Sequence, residues 1–420
     1  MSDVQEKKAW HQKDWVILLI ISSAYIAVFA NIQGFKALLP LVQEEFQISR
    51  TQVGFYSSFY FLSAVLIAVF SGRIVDRLGT KKSLYLGAGV VGLMIILHAL
   101  SPTFWLILIF AFFTGVAFSI ITPAVNKGVL ELAEPAKRSF FMGIVHGGGG
   151  FGGFLGAVLL PVLGGLVGWR SALLFGSVFA IAVALCIFKF YRPADVQVET
   201  VEKKAEKPPR SLKEDILHFL ANRYLLSVFS MGIVFGLSIS SVSGHFPLYL
   251  TQDLGFSPTF AGLGLGIFHI GGIIGQPFWG LVNEKVLHGD RRKGMFSLGL
   301  LIAALTLFFG AVVSRVSFSH VAVLFFAFLL GFCILGVIAI YFTTVSELVS
   351  REHIGVVTGV ALIFPRASTV LAPPLFGLIA DVRGAYAGSW IVLGAVVLLI
   401  TLAFFYFSGK YASKKSALEG

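Results

Sequence analysis

The stretch Gly72-Arg73-Ile74-Val75-Asp76-Arg77-Leu78-Gly79-Thr80-Lys81-Lys82 is the most informative segment of this 420-residue chain. It places five charged side chains where two apolar runs, 52–75 and 83–100, come together. Charges are otherwise scarce, because only 13% of the residues are charged and 57% are hydrophobic. Soluble domains carry about twice that charged fraction. The segment is therefore predicted to be a polar loop between two membrane-spanning helices.

Apolar segments of spanning length recur along the whole chain. A spanning helix needs about 20 predominantly apolar residues, and turn signals divide the chain into twelve such segments. The first is too long for a signal peptide and lacks a small-residue cleavage site, so it is predicted to be retained. The predicted spans are 15–41, 52–75, 83–100, 103–130, 139–167, 171–190, 224–250, 259–283, 294–314, 321–346, 355–380 and 389–408.

Several functional classes are disfavoured by composition and motifs. The net charge of +11 would favour nucleic acid as the partner of a soluble protein, but in a membrane protein its meaning depends on where the charges lie. The chain contains no Walker loop, no dinucleotide fingerprint and no Cys/His metal spacing. Cys186 and Cys333 both lie inside apolar runs. We predict neither an enzyme nor a cofactor, a metal site or a nucleic-acid partner.

The basic residues predict the orientation. Most of the 32 lysines and arginines share the side of both termini, which the positive-inside rule assigns to the cytoplasm of a cell membrane, here expected to be a bacterial inner membrane. The polar stretch 191–222 is predicted to link two six-span halves, 1–190 and 223–420. The basic residues on the opposite loops are Arg50, Arg170, Arg315 and Arg383.

The two halves repeat one charge pattern. The motif at 72–77 recurs 208 residues later at 280–285, and a glutamate at the end of the fourth span recurs 216 residues later at the end of the tenth. Internal repeats of this kind are typical of secondary transporters. The paired residues are Gly72 with Gly280, Asp76 with Glu284, Arg77 with Lys285, and Glu131 with Glu347.

The segment 72–82 resembles the G-x-x-x-D-R-x-G-x-K-K loop of the major facilitator superfamily, and the resemblance in topology covers nearly the whole chain. It implies an all-α membrane protein with twelve transmembrane helices in two pseudo-symmetric six-helix bundles, acting as a monomeric carrier. Asp76 is expected to meet the N-terminal end of the eleventh helix near Gly355. The expected gating residues are Gly72, Asp76, Arg77, Glu131, Glu284, Lys285 and Glu347.

Three basic residues remain inside the spans: Lys36, Lys127 and Arg366. Every acidic residue falls in a loop, a tail or a helix end. Ionised side chains in hydrocarbon are costly and usually face a wet cavity and a partner. We therefore predict that the missing partner is a small anionic substrate.

The three basic residues differ in their alternatives. Arg366 lies midway along helix eleven beside Pro365, and its planar guanidinium suits a carboxylate or phosphate. Lys36 lies one turn before Pro40 and has outward snorkelling as its alternative. Lys127 has Glu131 as an alternative partner one helical turn away.

Histidines inside the spans are further candidates because histidine changes charge near neutral pH. An offset of 208 residues sets His245 beside the position equivalent to Lys36, so the two halves are expected to present basic groups together. Packing by hydrogen bonds is the alternative for each histidine. The proton-coupling candidates are His146, His245 and His269, of which His146 and His245 are also substrate candidates. The expected hydrogen-bonding companions are Gln33, Asn126 and Tyr341.

The predicted function is alternating-access transport of a mono- or dicarboxylate across the lipid bilayer, as proton symport or anion exchange. Export of an amphipathic drug or lipid-like compound is one alternative. It is favoured by glycines from Gly147 to Gly165 in the fifth span, which approach an exchanger-associated family pattern except at Leu160. A transporter-like receptor that signals through its linker or tail is the other alternative.

Overall fold

The computed structural model describes residues 12–133, 137–191, 221–348 and 354–416. Within these ranges the chain is helical and contains no β-strand. Twelve segments are long and apolar enough to cross a membrane, and we number them spans 1 to 12. The predicted fold class is confirmed. Most of the predicted linker, residues 192–220, lies outside the described residues.

Most spans correspond to single helices. Helix Arg50–Leu100 supplies both span 2 and span 3, a π-helix at Phe309–Val313 extends span 9 beyond Arg291–Phe308, and span 10 consists of His320–Ile334 and Val337–Glu347. The remaining helices, in order, are Gln12–Phe46 (span 1), Phe104–Leu132 (4), Arg138–Val167 (5), Trp169–Phe190 (6), Arg223–Gln252 (7), Pro258–Lys285 (8), Ile354–Arg383 (11) and Ala387–Ser416 (12).

The turn between spans 2 and 3 depends on one glycine. Helix Arg50–Leu100 breaks at Gly79, where φ is +78° and ψ is 161°. Glycine adopts this backbone conformation without the steric penalty that a Cβ brings. The charged stretch 72–82 is therefore the end of one span and the start of the next, joined by a sharp turn.

Side-chain caps define where several helices begin. Ser49 and Gln52 form a reciprocal capping box at the start of span 2. Asp290 accepts a hydrogen bond from the backbone N–H of Lys293 at the start of span 9. Such caps satisfy N–H groups of the first turn that have no partner inside the helix.

The packing of the spans follows a pseudo-two-fold pattern. Within the halves, span 1 packs on span 5 as span 7 packs on span 11; between the halves, span 2 packs on span 11 as span 8 packs on span 5. We call the end of the bundle with Phe190 and Arg223 the linker end, and the end with the 47–49, 253–257 and 384–386 turns the far end. The outer surface is apolar: Leu166, Val321 and Val382 are about three-quarters exposed, as expected for side chains that contact lipid.

Candidate functional site

Lys36 lies buried at the boundary between the two halves. Its side chain is 1% exposed, so it does not snorkel to an interface. Its Nζ donates a hydrogen bond to Ser243 Oγ in span 7 at 3.1 Å and lies 5.3 Å from the centre of the Phe61 ring in span 2. No carboxylate pairs with this ammonium among the described residues.

Buried polar atoms without partners accompany Lys36. Gln33 Oε1, Ser57 Oγ and His269 Nε2 are buried and form no hydrogen bond within the described part of the chain. Gln33 lies three residues from Lys36 on the same face of span 1, and the His269 ring of span 8 lies against Gly153 of span 5. Ser57 points at Gly244, the neighbour of Ser243. Most buried polar atoms in proteins are paired, so this group is suited to hold water or a ligand.

The sequence prediction did not include Ser243. The signal for it was present, because Pro40 and Pro247 are 207 residues apart and the same offset relates Lys36 to Ser243. The offset of 208 residues taken from the charged loops is one residue out of register in spans 1 and 7, and it pointed to His245 instead.

His245 faces away from Lys36, which contradicts the expectation that the two present basic groups together. It is 0% exposed, its Nε2 donates to Pro373 O at 2.8 Å, and its Nδ1 accepts from the Tyr386 hydroxyl at 3.1 Å. Successive helical residues turn by about 100°, so the side chains at 243 and 245 point in nearly opposite directions. In this conformation both ring nitrogens of His245 bond to groups of its own half.

Arg366 is half-buried in span 11. Its guanidinium forms no hydrogen bond or ion pair with any residue that the structure describes. The neighbouring Pro365 removes the N–H that would bond to the carbonyl four residues earlier, and the Tyr341 hydroxyl donates to that carbonyl, Ala361 O, at 2.7 Å. Tyr341 therefore satisfies the helix backbone here, and Arg366 keeps its donors free.

His146 of span 5 and Asn126 of span 4 contact each other. His146 Nε2 lies 3.0 Å from Asn126 Oδ1, and its ring meets the Tyr25 ring edge-on at 5.5 Å. His146 shares a helical face with Gly150 and Gly153, both of which contact side chains of span 8. The His146–Asn126 pair therefore lies beside the boundary between spans 5 and 8, one helical turn closer to the linker end than Gly150.

Lys127 has an acidic partner, so the expectation that it lacks one is wrong. Its Nζ donates to Asp76 Oδ1 at 2.7 Å. The alternative partner Glu131 instead accepts from the Thr80 hydroxyl at 2.8 Å. The pair could not be predicted from the sequence, because Lys127 in span 4 and Asp76 at the end of span 2 are 51 residues apart. Lys127 belongs to the linker-end charges.

The other expected gating residues also lie at the linker end. Arg291 Nη2 bonds to Glu284 Oε1 at 2.6 Å and to Glu347 Oε1 at 2.8 Å. Arg77 and Lys285 are exposed. The side chain of Asp76 is 72% exposed, and the chain just before span 11, residues 349–353, lies outside the described residues. The ion pairs Asp76–Lys127, Arg291–Glu284 and Arg291–Glu347 each join residues of one half.

The far end holds the two halves together by backbone contact. Gly54 of span 2 lies directly against the backbone of Pro373 and Pro374 in span 11, which leaves no space for a Cβ. Gly377 of span 11 lies in the same way against the backbone of Arg50. Ser58 donates to Val370 O at 2.5 Å, a carbonyl that Pro374 deprives of its helical partner.

A hydrogen-bond network crosses the same boundary. Asp381 accepts from the backbone N–H groups of Arg50 and Thr51 at 3.0 and 2.9 Å and from the Thr51 hydroxyl at 2.6 Å, so a carboxylate of one half caps the first helical turn of the other. The Arg50 guanidinium donates to Gln252 Oε1 at 2.9 Å and lies 4.0 Å from Asp253. Burial raises the pKa of Asp253, against the opposing effects of the Tyr386 N–H and Arg50.

The linker end is open along the same two boundaries. Within the described part of the chain, a Cβ on any of five glycines of spans 2, 5, 8 and 11 would meet no atom within 4 Å. The spans are thus close together at the far end and apart at the linker end. These glycines are Gly72, Gly143, Gly147, Gly280 and Gly359.

This architecture has a sequence counterpart: the profile of the Major Facilitator Superfamily matches residues 21–250 and 228–420. The chain belongs to the Major Facilitator Superfamily. Like the members it resembles, it is a secondary transporter and not an enzyme.

Superfamily members of known name are similar over nearly the whole chain. The Hexuronate transporter of Bacillus subtilis (strain 168) is 23% identical over 419 residues, covering 96% of each chain. Multidrug resistance protein 2 of the same organism is 22% identical over 402 residues, covering 94% of this chain and 97% of the other. A probable hexose phosphate transport protein of Chlamydia trachomatis is 22% identical over 424 residues, covering 95% and 91%.

A solved member of the superfamily confirms the fold. The bacterial homologue of the human lysosomal transporter Spinster, in an inward-facing and occupied conformation, superposes with a TM-score of 0.75 at 16% identity, covering 96% of this chain and 98% of that one. The described residues of the present chain contain no cluster of three or more His, Cys, Asp or Glu suited to a metal ion. The chemistry available at mid-depth is that of lysine, arginine, histidine, amide and hydroxyl groups.

Proposed function

We propose that the protein transports a small organic anion, a carboxylate, through a binding site between its halves at spans 1, 2, 7, 8 and 11. The observation that carries this proposal is Lys36, an ammonium that is 1% exposed and has only the Ser243 hydroxyl as a hydrogen-bond partner among the described residues. A buried charge without a counterion is costly. An anion in contact with Lys36 would remove that cost.

The position of Arg366 on a second span favours an organic anion that is larger than an inorganic ion. Its guanidinium is free within the described residues and lies on a different span from Lys36. Arginine binds carboxylates through two parallel hydrogen bonds. A hydroxylated acid whose carboxylate oxygens contact both Lys36 and Arg366, with Gln33 and Ser57 near its hydroxyl groups, would use the polar atoms that lack partners.

Two relatives support this substrate class. The names of the Bacillus subtilis hexuronate transporter and the Chlamydia trachomatis hexose phosphate protein both specify sugar derivatives with an anionic group. We therefore place sugar acids first among the candidate carboxylates.

The open linker end is proposed to face the cytoplasm. The basic residues of the chain are concentrated on the side of the termini, as the positive-inside rule requires of a cytoplasmic side. The conformation described here would then be open to the cytoplasm, with the substrate site reached from inside and closed to the outside by the contacts of Gly54 and Asp381.

Export of an amphipathic compound is the second candidate, favoured by the similarity to Multidrug resistance protein 2. The described spans carry no carboxylate at mid-depth to attract a cationic drug, since the acidic residues lie at their ends. A neutral or anionic drug would still be compatible with Lys36 and Arg366.

Uptake into proteoliposomes tests the proposal. The probes are radiolabelled D-glucuronate, D-gluconate, succinate, lactate and glucose 6-phosphate, with a cationic dye for the export alternative. We expect uptake of at least one carboxylate, and Lys36→Gln or Arg366→Gln to weaken its affinity at least about 30-fold, because removing one member of a buried charge pair costs about 2–5 kcal/mol.

Lys189→Gln is the matched control, because Lys189 is exposed at the end of span 6. It should transport like the wild type. Movement of the dye without any carboxylate, or full affinity in both site variants, would contradict the proposal.

A further inference from the structure

Lys36 and Ser243 occupy the same position in the two halves. Each lies four residues before a proline, Pro40 in span 1 and Pro247 in span 7, and both pairs are separated by 207 residues. The equivalent side chains meet across the boundary between the halves at 3.1 Å. The N-terminal copy of the repeat has a lysine at this position and the C-terminal copy has a serine, and these two side chains contact each other between the halves.

The surroundings of this contact are apolar or neutral. The Phe61 ring and the Ser243 hydroxyl contact the Nζ atom of Lys36. The backbone carbonyls of Lys36 and Ser243 lack a helical partner, because the residue four positions later is a proline in each case. Span 1 packs against spans 2 to 8. The titratable groups on the described helices of those spans are, in order, Arg50, Tyr56, Tyr60, Arg73, Asp76, Arg77, Lys81, Lys82, Tyr85, His98, Lys127, Glu131, Arg138, His146, Arg170, Cys186, Lys189, Arg223, Tyr224, His245, Tyr249, His269, Glu284 and Lys285.

None of these groups supplies a counterion to Lys36. Asp76 bonds to Lys127, Glu131 to Thr80 and Glu284 to Arg291, all at the linker end. His269 is a basic group and supplies no negative charge. Tyr56 and Tyr60 are neutral phenols in an apolar setting.

A transport cycle must move this residue through an enclosed state twice, once loaded and once empty. With an anion bound, the ammonium has a counterion. Without one, a buried ammonium is costly, whereas a neutral amine is not. A serine hydroxyl suits both forms, because it accepts a hydrogen bond from an ammonium and donates one to an amine.

We propose that Lys36 carries the coupling proton, so that transport is anion–proton symport with a lysine in place of a carboxylate. This inference rests on the proposed function. After the anion leaves, the Lys36 ammonium passes one proton to water at the open end and becomes an amine that accepts from the Ser243 O–H. The empty carrier returns in that form. Lys36 then takes one proton from water on the other side before the next anion binds.

His245 and His146 are less suited to this task. Both ring nitrogens of His245 are engaged with Pro373 and Tyr386. His146 is exposed near the linker end and bonded to Asn126 within one half. Lys36 alone among the mid-depth basic groups of the described residues hydrogen-bonds across the two halves.

The decisive variant is Lys36→Arg, because a guanidinium keeps its proton in proteins. Proteoliposomes are loaded with a pH-sensitive dye and offered D-glucuronate, then the other carboxylates of the panel. In the wild type we expect one proton to enter with each monoanion, and uptake to follow an imposed pH gradient. In Lys36→Arg we expect net pH-driven uptake to fall at least tenfold, while exchange of internal for external anion continues.

Lys189→Arg is the control for the substitution and should keep both activities. Net pH-driven uptake by Lys36→Arg at the wild-type rate would overturn the proposal. So would wild-type anion transport without proton movement, a measurement that does not depend on the variant folding. In both cases the anion transport proposed above would stand, whereas absence of carboxylate transport in the wild type would remove that function itself.

Discussion

The far end and the linker end of this bundle are built from the same repeat but hold the halves in different ways. At the far end, Gly54 and Gly377 bring the backbones of spans 2 and 11 into contact, and Asp381 of one half caps a helix of the other. At the linker end, the ion pairs of Asp76 and Arg291 stay within one half. The inter-half contacts of Gly54, Gly377 and Asp381 therefore hold the two halves together at the far end, whereas the ion pairs of Asp76 and Arg291 do not join the halves.

The difference has a thermodynamic meaning. A contact shifts a conformational equilibrium only if its free energy differs between the two states. Ion pairs inside one rigid half persist whichever end is open, so they stabilise that half without favouring either state. The inter-half contacts of the far end exist only when that end is closed.

The largest effect is expected from Gly54→Ala. A Cβ at this position would meet the backbone of Pro373 and Pro374, and overpacking of this kind costs about 1–3 kcal/mol, which is about a 5–150-fold shift in population. A cysteine replacing Ser57, which is buried in this conformation, should be labelled correspondingly faster by a maleimide.

Gly72→Ala is the matched control, because both substitutions add the same methyl group to a helical glycine and Gly72 has open space around it within the described residues. It should leave labelling at position 57 unchanged. These measurements use a background in which Cys186 and Cys333 are replaced by alanine. Equal labelling in the two variants would show that the far end is not held by close backbone contact.

A smaller effect is expected from Asp381→Asn. The amide loses the charge and one acceptor oxygen that serve the N–H groups of Arg50 and Thr51. Loss of a helix cap costs about 1 kcal/mol, so labelling at position 57 should rise about fivefold. Asp290→Asn alters a cap within one half and should have no such effect; a similar rise in both variants would assign the change to general loosening.

The smallest effect is expected from Lys127→Ala. Its ion pair with Asp76 is largely exposed and lies within one half, and such pairs contribute about 0–1 kcal/mol. Labelling of a cysteine replacing Gly359, which is exposed at the open linker end, should change less than about twofold. A change of tenfold or more would show that Lys127 acts between the halves.

Much of the fold could be predicted because bilayer length and local turn chemistry act over short stretches of chain. The twelve apolar runs and the charged turn around Gly79 follow from such local rules. The repeat is also visible in the sequence, but the charges of its loops give an offset that is one residue out of register in spans 1 and 7. Alignment of Pro40 with Pro247 identifies Ser243, whereas the loop charges point to His245, whose side chain bonds to span 11 and to the turn that follows it.

The site was predictable only in part. Burial of Lys36 and the free guanidinium of Arg366 agree with the expectation that basic groups in the spans lack acidic partners. Lys127 does not agree, because Asp76 reaches it from another helix. Sequence distance does not reveal which helices are neighbours, so pairs between spans cannot be counted from the chain alone.

The order of residues by itself determined a twelve-span membrane protein, its repeat and the shortage of acidic groups at mid-depth, since hydrophobic length and composition are properties of single segments. Only the tertiary structure decided which end is closed, which lysine keeps a protein counterion and which side chain meets Lys36. Those outcomes depend on contacts between helices that are distant in the chain. A shift of one residue along a helix turns the side chain by about 100° and so brings a different side chain to the neighbouring helix.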